Sequence, residues 1–386
     1  MKPGCFFCLL LSLAGSSHAS AATRSKSPPA VQNAAVKYLR ADITLRDSQA
    51  LPPDAPTALI KALDSPLDES DEKLVAASGE ALTEFEHGAE LKQCDWELSA
   101  QDGPSADTSH REAVRELVLV AALRARIRFR DNHQEDAIKD SLAAITASRQ
   151  LSHDGTIASL LISYSLESRV SQILAHNLSH LSPTELRQLA GRLSAAPRQP
   201  SMAEALRSEE LDRHPLATVV HGAASRDDLI ARLVNGVAVL DGDNNLARQL
   251  VDECGGSVQG FSHCIQQQQA FCKSWLARFS LPPEEFERDY KLQLSSQADP
   301  NPLITRYTPS LPSLRWAEAY HQTRLTLLRA AIAVQLEGPA ALVHFNDPYR
   351  DDLFAYIPLD HGFRLESELT DNNGPLSLST QPDPVP

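Results

Sequence analysis

The chain has 386 residues, 50 acidic against 36 basic, and a formal net charge of -14. That balance repels a phosphate backbone, and no stretch concentrates Lys and Arg with interleaved aromatics, so nucleic acid is not an expected partner. With 42% apolar residues there is ample material for a sizeable core.

Residues 1–22 read as an export signal: Lys2, an apolar run from Cys5 to Ala14, then small residues at Ser17-His18-Ala19 and Ala21-Ala22. Cleavage could follow Ala19, Ala21 or Ala22. An apolar run of about ten residues is too short for the roughly 30 Å hydrocarbon layer, and no later segment could span it. A periplasmic or secreted chain that does not span the membrane is therefore expected.

Downstream, apolar residues recur at helical spacing nearly everywhere up to Glu337. Leu74, Ser78, Leu82, Phe85 and Ala89 make one stripe that ends near Cys94. After a loop from Asp102 to Ser109, a helix is predicted from His110 to about Arg130. Its seven consecutive apolar residues, Leu117 to Leu123, place it at the centre of the fold. The arginines at 124, 126, 128 and 130 are the densest basic run, and on a helix they spread over several faces as solvated or ion-paired groups. Asp131-Asn132-His133 turns the chain into Ile138, Leu142 and Ile145. Ser152-His153-Asp154-Gly155 turns it again into Ile157, Leu160, Leu161, Tyr164, Ser168, Ser171 and Leu174.

Ser182-Pro183-Thr184-Glu185 and Ser201-Met202-Ala203-Glu204 read as capping boxes, with Ser225 a weaker cap. Phe261 to Phe279 carries an aromatic stripe, Pro282-Pro283 opens a short helix, and a proline-rich connector from Pro300 to Pro312 leads to the last. That helix bears Trp316, Tyr320, Thr323, Leu327, Ala331 and Val334 and is stopped by Gly338-Pro339. Phe354 and Tyr356, then Phe363 and Leu365, alternate around Asp360-His361-Gly362 as a β-hairpin would. The expected fold is all-α, an array or bundle of antiparallel helical hairpins with a small C-terminal β-hairpin. Residues 28–338 would form the helical domain and 339–373 an appendix on its last helix, with 374–386 a disordered tail.

Once the signal is gone, Cys94, Cys254, Cys264 and Cys272 remain, an even count that in an oxidising compartment suggests two disulfides. Eight residues of helix rise about 12 Å, so Cys264 cannot reach Cys272. Gly255 and Gly256 let the chain turn back, which favours Cys254 with Cys264 and leaves Cys94 with Cys272. Four buried free thiols are the alternative. Zinc lacks a Cys-x-x-Cys pair.

The run Cys94-Asp95-Trp96 through Asp102-Gly103-Pro104, the Ala/Leu/Arg helix to Arg149, and the closing Asp347-Pro348-Tyr349, Tyr356, Gly362-Phe363, Leu365 and Ser367 resemble a family of exported, mainly helical, uncharacterised bacterial proteins. That resemblance covers about three quarters of the chain and implies no activity. The closing stretch alone is similar to the end of major pseudopilins. There an Asp-Pro turn, a hairpin and an Asp/Gly-rich loop bind calcium, and Asp371-Asn372-Asn373-Gly374 stands where that loop would lie, short of acidic ligands.

Candidate chemistry is sparse. His176 and His180 have zinc-gripping spacing, but Asn177 replaces the glutamate of a hydrolytic motif, and a helix C-terminus accounts for both imidazoles. Asp95, Glu97 and Asp102 around Trp96 could supply paired carboxylates and a stacking surface for sugar cleavage. There is no Gly-x-Ser-x-Gly elbow and no phosphate loop. No catalytic residues, metal or cofactor are therefore assigned. The expected function is a non-enzymatic binding or scaffold protein of the cell envelope with a protein or peptide partner, for which Trp96, Tyr349 and Tyr356 are candidate contacts. The alternative is a hydrolase of an extracytoplasmic polymer.

Overall fold

A computed structural model describes residues 32–97, 108–236, 243–296, 301–350, 352–371 and 374–381. The signal segment, Asp102, Asn372, Asn373 and residues 382–386 lie outside them. The described residues form sixteen helices followed by a small antiparallel sheet.

The first half is built around one helix that the sequence makes apolar on every side. Helices α1 (Ala34–Asp47), α2 (Ala55–Asp64), α3 (Glu69–Ala77) and α4 (Gly79–Ala89) surround α5 (Ser109–Arg130), which pairs with α6 (Gln134–Leu151) and then α7 (Ile157–Asn177). Leu117 to Leu123 are at most 1% exposed, as a central helix requires. Arg124 to Arg130 are all engaged. Arg124 and Arg128 grip Asp140, Arg126 donates to the carbonyls of Ala62, Leu63 and Ser65 at the end of α2, and Arg130 pairs with Glu72 and Asp131. The expected single stripe from Leu74 to Ala89 is broken in two at Ser78. This fully buried serine ends α3 and starts α4, its hydroxyl turned back to the Leu74 carbonyl at 2.8 Å.

Helix α8 (Pro183–Ala195) and α9 (Met202–Arg207) each open on a complete capping box, from Ser182 with Glu185 and Ser201 with Glu204. A π-turn, Ser208–Asp212, follows α9. Next come α10 (Pro215–His221), α11 (Arg226–Gly236), α12 (Asn244–Glu253), α13 (Val258–Leu276), α14 (Pro283–Ser295), α15 (Pro302–Arg306) and α16 (Leu311–Glu337). The connector from Pro300 to Pro312 thus contains a helical turn, with Pro302 at its first position and Asn301 as its cap. Gly338, at φ 85°, stops α16.

Apolar side chains divide into three clusters. The main one joins α1 to α8 with the second half of α16 and the sheet, and the second lies among α10 to α13 with Leu303 of α15. The third joins the start of α7, α9, the second half of α13, Phe286 and the start of α16.

The C-terminal sheet runs β1 (Ala355–Leu359), β2 (Gly362–Asp371), β3 (Gly374–Ser379), with Tyr356 opposite Leu365 and Leu365 opposite Leu378. The third strand corrects the disordered tail expected from 374. Leu376 and Leu378 alternate inward and join Leu365 and Leu369 in the main cluster, enough apolar surface to order a segment rich in Pro and Ser. Tyr320 of α16 donates to the Thr370 carbonyl at 2.5 Å and ties the sheet to that helix.

A buried polar seam along α7 as candidate functional site

Ser159, Ser163, Glu167 and Ser171 follow one another at four-residue intervals on α7, and all four are fully buried. One face of an interior helix is therefore polar: Ser159, Ser163 and Glu167 take partners from the preceding turn, α5, α6, α16 and the loop at Gln199, while the Ser171 hydroxyl has no hydrogen-bond partner among the described residues. At the first end Asp154, in the turn before α7, is a hub. Its Oδ2 accepts from His110 Nε2 at 3.0 Å and from the Ser159 hydroxyl, and its Oδ1 from the Thr156 amide and hydroxyl, each at 2.8 Å. Arg111 stands 3.6 Å away. Burial alone would raise the Asp154 carboxyl, yet these donors hold it below its ordinary value.

One turn on, Ser163 accepts from Gln199 at 2.7 Å, and Gln199 in turn accepts from His321 of α16 at 2.6 Å. His321 stacks on Tyr164 with ring centres 4.1 Å apart and lies 3.2 Å from Glu167 Oε2. Arg149 of α6 completes the group, its Nε 2.6 Å from Glu167 Oε1. Burial is again the largest influence on Glu167, and the His321 and Arg149 donors again hold it below the ordinary carboxyl range.

The seam brings a serine, a histidine and an aspartate together at one end, but in the wrong order for nucleophilic catalysis. An activated serine must give its proton to the imidazole. Here the Ser159 hydroxyl and the His110 ring both donate to Asp154, and Ser159 is fully buried. What this arrangement does chemically is fix the register of α5, α6, α7 and α16 through paired polar groups.

A further buried carboxyl lies at the π-turn, outside the seam. Glu210 Oε2 accepts from Gln268 at 3.3 Å, while the other end of the Gln268 amide accepts from His214 at 3.2 Å. Burial, with Glu209 close by, pushes Glu210 up to about 8, and burial pushes His214 down.

The sequence-predicted residues are placed as follows. Asp95 is exposed in a surface turn, its Oδ1 taking the Glu97 amide at 2.9 Å and its backbone bonded in both directions to the side chain of Asn33. Trp96 does not offer a free stacking face. Its ring lies between Tyr38 and His110, at 6.2 and 4.8 Å, and its indole donates to the Gln150 carbonyl at 2.9 Å. Tyr349 packs beside Trp316 under Arg350, and Tyr356 stacks on Phe363 at 5.5 Å. Asp347 is a buried latch whose carboxylate accepts from Tyr349, Ser367 and Glu368.

His176 ends α7 and His180 falls in the following 3-10 turn; no group of three metal-ligating side chains occurs among the described residues. All four described cysteines are free thiols in this structure. Cys94 packs on the main cluster and Cys272 belongs to the third, so that pairing has no common site. Cys254 and Cys264 are neighbours in the second.

Two surface depressions between α9 and α13, of about 400 and 640 Å³, share Arg207, Lys273 and Leu276. Among the described residues no helix is long and apolar enough to cross a membrane. Family models, curated proteins and solved structures yielded no match to the chain.

Sequence reasoning missed the seam. Its one visible signal was the polar residue recurring at every fourth position of an otherwise apolar helix.

Proposed function

We propose that the protein is an exported, non-enzymatic binding or scaffold protein of the cell envelope, and that it seats a helix of a protein partner on the outer face of α1. The observation that carries this reading is a second apolar face on that helix. Ala34, Tyr38, Ala41 and Leu45 face the core, while Val36, Leu39 and Ile43 stand 48%, 41% and 59% exposed on the opposite side. Scattered exposed apolar residues are ordinary, but three at i, i+3 and i+7 form the anchor pattern by which one helix docks on another. Arg40, beside Leu39 and exposed, has no ion-pair partner among the described residues, which favours a partner helix with a carboxylate bordering its apolar stripe. The buried, mutually paired state of the seam's acids and bases supports a structural role for them. The hydrolase alternative draws less support, because Asp95 is engaged in its own turn and Trp96 in packing.

The test is affinity capture from envelope extract with the mature chain and with a Val36→Ser, Leu39→Ser, Ile43→Ser variant, read by mass spectrometry. A partner held by the first and lost by the second is expected. Equal capture by both would remove α1 as the docking face, and cleavage of an envelope polymer that is abolished by Asp95→Asn with Glu97→Gln would overturn the non-enzymatic reading.

A further inference from the structure

The four described cysteines are spread over three clusters, and among them only Cys254 and Cys264 share one. Cys254 is the C-cap residue of α12. Gly255 and Gly256 follow at φ 88° and 66°, left-handed values that reverse the chain within two residues so that α13 can begin at Val258. Ser257 caps α13 through the Gly260 amide at 3.0 Å. Gly260 then rides directly on the end of α12: a Cβ there would run into the Cys254 carbonyl oxygen. Cys264 stands one turn beyond Gly260 on the same helix face and packs in the same apolar cluster as Cys254. Asn301 holds this turn of α13 from the other side, donating to the Cys264 carbonyl at 2.8 Å.

We propose that Cys254 and Cys264 form a disulfide by exchange with a disulfide oxidant, while Cys94 and Cys272 remain thiols. Cys264, the half-buried member, is the one that meets the oxidant. Its thiolate, having given its proton to solvent, attacks one sulfur of the oxidant and releases the other as a thiolate. The Cys254 thiolate then displaces the remaining oxidant thiolate from Cys264, forming the intramolecular bond. Two cysteine thiols lose two protons and two electrons, and the oxidant's disulfide becomes two thiols. The bond would clamp α12 to α13 across the glycine turn. Cys94 and Cys272 each pack in a different cluster with no second described cysteine in it, so neither has a route to the same product.

This inference concerns the chain alone and is independent of any partner on α1. The test incubates the reduced full chain with oxidised glutathione, quenches with acid, alkylates in denaturant and maps peptides by mass. The expected result is a Cys254–Cys264 link, about 2 Da lighter than the two thiols, with Cys94 and Cys272 alkylated. Cys264→Ser should abolish the link, and Cys94→Ser with Cys272→Ser should keep it. Four alkylated cysteines after prolonged oxidation, a lasting glutathione adduct without closure, or a link through Cys94 or Cys272 would each overturn the proposal.

Discussion

Glu167 in the α7 seam and Glu210 at the π-turn are both buried carboxyls, and their surroundings drive them in opposite directions. Glu167 meets a guanidinium and an imidazole and stays below the ordinary range. Glu210 meets a neutral amide and a histidine whose own burial disfavours its charge, and it is pushed up to about 8. Burial alone therefore does not decide the charge of an interior acid; whether a cation is buried with it does. One region is an ionic lock that tightens as its acids ionise, and the other is a neutral joint that ionisation would strain.

The largest effect should come from breaking the lock on one side only. Arg149→Ala leaves the fully buried Glu167 carboxylate without its guanidinium partner, and removal of one member of a buried pair costs about 3–5 kcal/mol. Urea denaturation at pH 7 measures it. Arg149→Met combined with Glu167→Leu removes both charges and should recover most of the loss, because apolar replacement of a whole buried pair is close to neutral. If the double variant is no better than the single one, the lock is not a matter of charge compensation.

Glu210 should show the reverse sign. Its folded-state value, near 8, lies above its ordinary 4.5, so the folded chain holds this proton more tightly than the unfolded chain does. The resulting loss of stability is absent below about pH 4.5, grows as pH rises and is complete above about 8. Between three and four units at about 1.4 kcal/mol each bound the effect from above, and water entering the joint as the carboxylate forms reduces it to roughly 2–4 kcal/mol. Glu210→Gln keeps an oxygen for Gln268 and should raise stability at pH 8.5 by that amount while leaving pH 4.5 unchanged. Denaturation curves across that range would contradict the neutral joint if wild type and variant ran parallel.

The contrast also explains which parts of the molecule could be read from the chain. Helix caps are local, and both capping boxes, the central α5 and the stop at Gly338 follow from residues within a few positions of one another. The seam is local on α7 alone. Arg149, Gln199 and His321 reach it from three other segments, and a polar residue at every fourth position is ordinarily a mark of a solvated face. Trp96 was legible as a candidate stacking surface beside acids, but Tyr38 and His110, which enclose it, come from α1 and α5. The third strand was hidden for a related reason. Its Pro and Ser content suggests disorder, and only the apolar floor supplied by α16 and β2 gives Leu376 and Leu378 somewhere to go.

Asp154 offers the finest probe, since it belongs to the lock yet is held by neutral donors as well as charged ones. Its folded value is depressed, so its contribution is present in full above its ordinary value near 3.8 and is lost as pH falls through the depressed one. Asp154→Asn keeps Oδ1 for Thr156 but turns the Oδ2 position into a donor facing His110 and Ser159, which already donate there. The clash of donors should cost about 1–3 kcal/mol at pH 7, and the variant should lose less than wild type between pH 5 and pH 3. His110→Gln separates the two contributions: its amide can donate to the Asp154 carboxylate, and beside Asp154→Asn its oxygen can accept from the new amide instead. Restored stability at neutral pH in the His110→Gln, Asp154→Asn pair, relative to Asp154→Asn alone, would show that donor crowding limits the single variant. No recovery would place its loss in the Ser159 bond instead.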